Sequence, residues 1–122
     1  MSNQFEVFHG TDGDNILNII RDGSMRPDSN HEIYFSIRFE DVLVHGADTK
    51  RKTAFGFKAR ITLPAGASQR RESRPGNPIA VIVTTTLPVP TEILQLYVRP
   101  AKQSSVQTVR GVATIKAHLL RY

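Results

Sequence analysis

The chain has 122 residues, enough for one compact domain with its own core and too few for two ordinary domains. It contains no cysteine, which excludes disulfides, thiolate nucleophiles and cysteine-ligated metal sites. No apolar run approaches the roughly 20 residues that a membrane-spanning helix requires, and residues 1–8 lack the basic and apolar parts of a signal peptide. We therefore expect one soluble domain, residues 1–122, that does not contact a membrane.

Charge is divided unevenly along the chain, whose net charge is +5. Residues 1–49 hold nine acidic and three basic residues, whereas residues 50–122 hold two acidic and thirteen basic ones. Clustered lysine and arginine attract polyanions at long range, so this asymmetry favours an acidic partner, either a nucleic acid or a phosphate-bearing small molecule. General solubility is the plain alternative explanation.

Hydrophobic spacing near the start of the chain predicts a strand followed by a helix. In residues 5–9 the side chains alternate as in a short strand. Asp12 or Asp14 can cap the helix that follows, and Gly23 supplies its stop. One apolar stripe runs along that helix, formed by Ile16, Leu17, Ile19 and Ile20.

A loop, a second strand and a second helix are predicted next. Residues 25–32 are rich in Pro, Asp, Ser and Asn, which is typical of a loop, and residues 32–37 alternate as a short strand. In residues 38–48 apolar side chains recur at helical spacing, which predicts a second helix that ends near Gly46.

The second half is predicted to consist mainly of strands. Residues 54–63 alternate between apolar and polar side chains, which indicates an antiparallel sheet with one solvated face. Residues 64–78 are rich in Gly, Pro and Ser and predict an exposed basic loop, whereas residues 79–87 are a more continuously apolar strand suited to a central position. Residues 91–99 are predicted as a strand, with a short helix at residues 91–95 as the alternative, and the C-terminal segment as the strand that closes the sheet. This order of elements is typical of an α+β fold.

The chain lacks the sequence motifs of several common chemistries. Its histidines do not have the HExxH spacing of a zinc site, and the TDGDN segment lacks the distant bidentate glutamate of a calcium loop. No GxSxG serine elbow and no GxGxxG or GxxxxGK phosphate loop occurs. We expect no metal cofactor.

Polar residues at the ends of strands, together with an acid in the second half, remain as candidates. The polar residues are His9, Thr11, Tyr34 and Ser36. The two acids of residues 50–122 are Glu72, expected to form a surface ion pair with the arginines around it, and Glu92, which follows a Pro-x-Pro stretch. Glu92 can point into a cleft, where a carboxylate would stabilise an oxocarbenium-like cation and accept a ribose hydroxyl proton. A helix N-terminal acid, favoured by the helix dipole, is an equal alternative.

Three segments together resemble a known fold: FHGT at residues 8–11, the short helix after it, and IYFS at residues 33–36. They resemble the ADP-ribosyltransferase fold, in the diphtheria-toxin-like group with a histidine, a tyrosine and a glutamate. The resemblance covers residues 7–99 and implies two short early helices packed on a mainly antiparallel, split β-sheet. The size and basic charge are also similar to those of C-terminal toxin domains in bacterial polymorphic toxins, including Rhs-type effectors.

The resemblance implies an NAD site built from the ends of these strands. His9 would hydrogen-bond a ribose of NAD, the backbone at Gly10 would help to hold the nicotinamide amide, and Thr11 would line the same pocket. Tyr34 would stack on the nicotinamide ring, with Ser36 supporting the strand end.

The third residue that the resemblance implies is a glutamate that binds the hydroxyl of the nicotinamide ribose and steadies the cation. It falls on Glu92, with Glu72 as the alternative. No Glu-x-Glu or Gln-x-Glu pair occurs in the expected region, which argues against transfer to arginine. A related enzyme that transfers an RNA 2'-phosphate to NAD is less similar, because Tyr34 stands where its second histidine is expected and His31 would lie on the opposite strand face.

The resemblance implies an NAD-dependent ADP-ribosyltransferase that acts as a monomer, with NAD as co-substrate and RNA or a protein as acceptor. The chain would be a secreted effector domain delivered into the cytoplasm of a target cell, or a cytoplasmic protein, and a toxin of this kind implies an immunity protein. Two basic clusters are suited to the phosphates of RNA. They are Lys50, Arg51 and Lys52, and Arg70, Arg71 and Arg74.

A non-catalytic, basic nucleic-acid-binding module is the rival hypothesis. Its sheet would use Phe55, Phe57 or Tyr97 as platforms for stacked bases. Phe55 and Phe57 lie on the apolar face of their strand and are expected in the core. The face that carries Lys58 and Arg60 is expected to offer no aromatic partner, which favours the enzyme.

Overall fold

The computed structural model describes residues 3–11, 13–37, 54–74, 77–99 and 106–120, which hold eight strands and two helices. In chain order these are β1 (Gln4–Gly10), α1 (Gly13–Asp22), β2 (Ser24–Met25), β3 (Glu32–Ser36), β4 (Ala54–Thr62), β5 (Ser68–Arg74), β6 (Asn77–Thr84), β7 (Val89–Arg99), β8 (Gln107–Arg110) and α2 (Val112–Leu119). The pairings between these strands are antiparallel, so the predicted α+β class is confirmed.

The strands form one sheet in the order β2-β7-β4-β1-β3-β6-β5, and β8 also pairs with β7. β1 pairs with β4 along its whole length, from Gln4 opposite Thr62 to Gly10 opposite Gly56. β1 and β3, in contrast, are joined by one register pair, Phe8 with Ser36. The sheet is therefore nearly divided between β1 and β3.

The core lies between one face of the sheet and the two helices. Val7, Phe35 and Phe57 are at most 1% exposed on this face, and they belong to the same apolar cluster as Ile16 of α1 and Ile115 of α2. Burial of each such side chain contributes roughly 1.5–3 kcal/mol to folding. The alternation in β1 and β4 places these residues on one side of the sheet, as their spacing predicts.

α1 confirms the predicted first helix and its stop. Ile16 and Ile19 are buried, while Asp14 lies in the first turn, where the helix dipole favours an acid. At the C-terminal end Gly23 has φ +67 and donates its N–H to the carbonyl of Ile19 at 2.8 Å, which is a glycine C-cap. The alternative cap Asp12 lies outside the described residues.

Two predicted elements differ in the structure. Residues 68–74, expected to be part of an exposed loop, form β5, which pairs with β6 through Arg70 opposite Ile82. Its polar composition suits the outermost strand of the described sheet, where charged side chains discourage pairing with other chains. Residues 112–119, expected as a closing strand, form α2, because Ile115 and Leu119 lie one helical turn apart and are both buried against the core.

The two remaining segments of the second half are strands, as follows for residues 91–95 and for the apolar segment before them. Residues 91–95 belong to β7 and are a strand, so the short helix is wrong. The continuously apolar segment forms β6, which is paired on both sides and nearly inaccessible from Ala80 to Val83. The second early helix, predicted at residues 38–48, lies outside the described residues. No helix in the described part of the chain is long and apolar enough to span a membrane.

Candidate functional site

His9 is fixed at the end of β1 by its ring and by one hydrogen bond. It lies opposite Phe57 on the core face, and its ring centroid is 5.5 Å from that of Phe57 and 5.6 Å from that of Phe35. Nδ1 lies 2.8 Å from the backbone carbonyl oxygen of Tyr34. A carbonyl only accepts, so Nδ1 carries the proton, and Nε2 of the neutral ring is an acceptor.

This hydrogen bond crosses from β1 to β3 near the point where the two strands stop pairing. A cleft of about 450 Å³ lies there. It is lined by His9, Asn15, Met25, Arg26, Asp28, Glu32, Ile33 and Tyr34. The cleft thus combines a histidine of defined tautomer, a tyrosine and two carboxylates.

Glu32 is the least exposed acid of the described ion pairs, with 16% of its side chain accessible. Its Oε1 accepts a hydrogen bond from the Tyr34 hydroxyl at 3.1 Å, and its Oε2 accepts one from Nη2 of Arg70 at 2.6 Å. Glu32 and Tyr34 are two positions apart on β3, so their side chains lie on the same face of the strand. Local strand geometry therefore builds the contact between them.

Electrostatics keep the Glu32 carboxylate charged. The hydrogen bond from Arg70 lowers the pKa of Glu32, with a smaller contribution in the same direction from the Tyr34 hydroxyl, against partial burial and the nearby Asp28 carboxylate, which raise it. The same contact raises the pKa of Arg70. The acid in the cleft is accordingly an anion at neutral pH.

A tight turn positions Glu32 from the other side. Oδ1 of Asp28 accepts the backbone N–H groups of Asn30 at 2.8 Å and of Glu32 at 3.1 Å, as in an Asx turn. His31 between them has φ +62 and is exposed on the turn. His31 thus precedes β3 and lies on no strand face, and the expectation that it is a poor substitute for Tyr34 stays a prediction.

The other residues predicted for the NAD pocket have different surroundings. Gly10 pairs with Gly56 at the end of β1, and Thr11 accepts a hydrogen bond at 2.9 Å from Nδ2 of Asn15, which lines the cleft. Ser36 is 4% exposed on β3, opposite Phe8, and does not belong to the cleft lining.

Glu92 lies apart from His9 and Tyr34. It sits on β7 opposite Arg60, with 64% of its side chain exposed and a 3.6 Å contact between its Oε2 and Nη1 of Arg60. The hollow that it lines is shared with Gln4, Gly23, Thr62 and Thr91 and has no residue in common with the cleft at His9. Glu72 forms the predicted ion pair, with Arg70 at 3.1 Å.

Sequence reasoning missed Glu32 because this residue lies in the first half of the chain, whereas the sequence predicts the acid in residues 50–122. The signal that was available is the spacing of Glu32 and Tyr34 on one strand, which places a carboxylate beside the aromatic residue. Among the described residues, no group of three or more metal-ligating side chains could hold an ion.

Three of the described basic side chains of the second half, Lys58, Arg60 and Arg70, form ion pairs with acids. Lys58 lies 3.3 Å from Glu6, and Arg70 contacts both Glu32 and Glu72. Arg71 is exposed on β5 and forms no ion pair with another described residue. Lys50, Arg51, Lys52 and the side chain of Arg74 lie outside the described residues.

The aromatic residues considered as stacking platforms have mixed outcomes. Phe55 and Phe57 are at most 1% exposed, so their expected place in the core is confirmed. Phe8 lies directly opposite Lys58, and its ring is 6.2 Å from that of Tyr97. The expectation that the face of Lys58 lacks aromatic residues is therefore wrong. Tyr97 is only 6% exposed, however, which leaves little ring surface for a stacked base.

Comparisons with known proteins identify no relative: no protein-family model, curated protein or solved structure matches the chain.

Proposed function

We propose that the chain is an NAD-dependent ADP-ribosyltransferase, a glycosyltransferase that acts on NAD. The observation that carries the proposal is the cleft between β1 and β3, whose lining includes His9, fixed by its bond to the Tyr34 carbonyl, and the hydrogen-bonded side chains of Tyr34 and the ionised Glu32, which lie on the strand face opposite that of His9. These are the three residue types expected from the resemblance in sequence, with a different glutamate as the acid.

The dimensions of the site suit a dinucleotide. A volume of about 450 Å³ is within the usual range for small-molecule sites. Asn15, Met25 and Arg26 line both this cleft and a second hollow of about 310 Å³ beside α1, so an elongated ligand can extend from one to the other. Arg26 supplies a positive charge for a pyrophosphate on the shared wall.

The proposed chemistry uses the fixed groups of the cleft. Tyr34 faces the nicotinamide ring, and Nε2 of His9 accepts a hydrogen bond from a ribose hydroxyl. The bond between the ribose C1 and the nicotinamide nitrogen breaks, and nicotinamide leaves as a neutral molecule with the electron pair. The Glu32 carboxylate stabilises the cationic sugar, an oxygen or nitrogen of the acceptor bonds to C1, and the acceptor's proton passes to Glu32 or to water.

Glu32 replaces Glu92 as the proposed acid because of position alone. An anion stabilises a developing cation only within a few ångströms, since Coulomb energy falls with distance and more steeply through solvent. Glu32 shares the cleft with His9 and Tyr34, whereas Glu92 lines a different hollow and faces Arg60.

The test is transfer of label from NAD, labelled in its ADP-ribose part, to RNA or protein of a cell lysate. We expect Glu32→Gln to lower transfer on the order of 10²-fold, as for loss of one charge-stabilising group, and Glu92→Gln to leave most of it. The reverse result would restore Glu92 as the acid. RNA is the first acceptor to examine, and label in protein would instead identify a protein acceptor.

Absence of transfer by the parent chain, together with RNA binding that needs no NAD and weakens steeply with salt, would replace this proposal by the nucleic-acid-binding module. Delivery as an effector domain and neutralisation by an immunity protein are further parts of the proposal. They depend on transfer being observed.

A further inference from the structure

We propose that Arg70 is a positioning residue, which fixes the Glu32 carboxylate against the Tyr34 hydroxyl and so sets the direction and charge of the acid in the cleft. Arg70 is on β5, two strands away from β3 across β6. Its role in catalysis rests on the proposed function, whereas its role in orienting Glu32 does not.

Arg70 is held at each of its guanidinium nitrogens. Nη2 donates to Oε2 of Glu32 at 2.6 Å, Nε donates to Oε2 of Glu72 at 3.1 Å, and Nη1 donates to Oγ1 of Thr84 at 3.3 Å. A planar guanidinium with three separate acceptors has little rotational freedom, because each of its three nitrogens donates to a different group. An exposed arginine that serves only as a surface charge does not need such an arrangement.

The register of the sheet makes this reach possible. Glu32 lies opposite Thr84 on β6, and Thr84 lies opposite Ser68 on β5, so Arg70 starts two residues along β5 from that row. Its long side chain crosses β6 diagonally to Glu32, with Thr84 as an intermediate acceptor. The contact joins the outermost described strand to the cleft.

The consequence for Glu32 is a carboxylate with both oxygens engaged. Oε2 of Glu32 accepts a hydrogen bond from Arg70. This contact orients the carboxylate so that Oε1 lies 3.1 Å from the hydroxyl oxygen of Tyr34. Loss of Arg70 would leave the Tyr34 hydroxyl as the remaining group that lowers the pKa of Glu32, against partial burial and the repulsion of Asp28, which raise it. The acid would then be protonated over part of the pH range in which the parent protein keeps it charged.

Other charged groups face Glu32 and have to be separated from the effect of Arg70. Asp28, Arg26 and His9 line the same cleft, and His31 precedes Glu32 on the turn. Glu72 acts through Arg70, which it contacts directly. A matched control among the arginines is Arg71, the next residue on β5, which contacts no described acid.

The experiment is an NMR titration of the Glu32 carboxyl carbon in the whole chain. We expect the pKa of Glu32 to lie below its ordinary range in the parent, to rise to that range or above it in Arg70→Gln, and to stay at the parent value in Arg71→Gln. Arg70→Lys keeps a positive charge but has one nitrogen in place of three, so we expect a pKa of Glu32 between those of the parent and Arg70→Gln. An unchanged Glu32 titration in Arg70→Gln would overturn the proposal. Should that variant not fold, the same decision is made on Arg70→Lys.

The pH profile of transfer adds the catalytic readout. In Arg70→Gln we expect kcat/KM to fall on the order of 10²-fold at acid pH, as for a misplaced catalytic group, with a smaller loss at higher pH and partial rescue in Arg70→Lys. A uniform loss at every pH, without rescue, would contradict the positioning role. If even the parent transfers no label, the proposed function fails while the titration still decides the role of Arg70.

Discussion

Nδ1 of His9 donates a hydrogen bond to the carbonyl oxygen of Tyr34 at 2.8 Å, close to the one register pair that joins β1 to β3. The His9 side chain thereby joins β1 to β3 at a place where few backbone hydrogen bonds connect the two strands. The bond has two separable effects. It stabilises the contact between the strands, and it makes Nε2 the acceptor nitrogen of the neutral ring.

Substitution of His9 separates these two effects. In His9→Ala we expect the free energy of unfolding to fall by about 1–3 kcal/mol, because a part-buried hydrogen bond and the packing against Phe35 and Phe57 are lost. His9→Asn keeps a donor near the position of Nδ1 and should lose less stability. Urea unfolding measures both variants.

The same two variants give a functional control. Neither has an acceptor equivalent to Nε2, so both should lose transfer from NAD even though their stabilities differ. Transfer by His9→Asn at the rate of the parent would show that Nε2 does not bind the substrate. Equal stability of His9→Ala and the parent would show that the bond to Tyr34 contributes nothing.

The fall in the free energy of unfolding at acid pH, called the acid limb here, should depend on Glu32. Its pKa is lower in the folded chain than in the unfolded chain, chiefly through Arg70, so the unfolded state binds more protons as the pH falls. The stabilisation is therefore complete above the ordinary glutamate range and is lost as the pH falls through the folded pKa. Glu32→Gln should flatten this limb when urea midpoints are measured between about pH 7 and pH 3.

Glu92→Gln is the control for that titration, because Glu92 is an exposed acid in a 3.6 Å surface contact with Arg60. Surface pairs of this kind contribute about 0–1 kcal/mol. An acid limb as steep in Glu32→Gln as in the parent would mean that the contact between Glu32 and Arg70 does not persist in solution.

The candidate site was only partly predictable from the sequence. His9 and Tyr34 line one cleft because His9, near the end of β1, bonds the carbonyl of Tyr34 in the middle of β3, and the alternation of both strands is visible in the sequence. The position of Glu92 depends instead on the register of β7 against β4, which includes an irregularity between Lys58 and Ala59. A one-residue change of register moves a side chain to the other face, and nothing local to residue 92 specifies it.

Charge composition does not by itself give the charge that is available to a partner. The basic excess of residues 50–122 suggests a large polyanion site, yet Lys58 pairs with Glu6 and Arg70 with Glu32. These acids come from the first half of the chain and reach the basic residues only through the strand order. Composition shows the excess, but pairing decides how much of it remains for a partner.

Gly23 should be sensitive to substitution because of its backbone angle. At φ +67 an L-residue is strained, and no described atom lies within 4 Å of a Cβ built there, so strain is isolated from steric overlap. We expect Gly23→Ala to lower the free energy of unfolding by about 1 kcal/mol and Gly23→Asn to lower it less, since asparagine tolerates this conformation. Equal losses in the two variants would point to a cause other than φ, such as the hydrogen bond from Thr91 to the Gly23 carbonyl.

The fold was predictable where local periodicity decides it, as in β1, α1 and β4. It was not predictable at the C-terminal end, where α2 was expected as a strand. Ile115 and Leu119 satisfy a helical period, but a short apolar segment with mixed spacing is compatible with either structure, and its packing partners decide. Those partners include Gly13 of α1, where a Cβ would lie 3.5 Å from Cδ2 of Leu119.

Adjacent leucines at the end of α2 test the burial of this segment. Leu119 is 3% exposed and Leu120 is 71% exposed, a difference that follows from the helix, which turns one of two neighbours into the core and the other outward. We expect Leu119→Ala to cost about 2–5 kcal/mol of unfolding free energy, as for a buried leucine, and Leu120→Ala to change it by less than about 0.5 kcal/mol. A strand would also alternate these two residues, so this pair tests their burial and does not separate a helix from a strand. The discriminating residue is His118, which is half-buried in the helix and would share the face of the exposed Leu120 in a strand. Amide hydrogen exchange gives the direct measure, because a helix protects consecutive amides from residue 115 to residue 119, including Ile115, whose N–H donates to the Gly111 carbonyl at 2.9 Å. Protection of alternate amides only would show that the segment is an edge strand and that α2 is wrong.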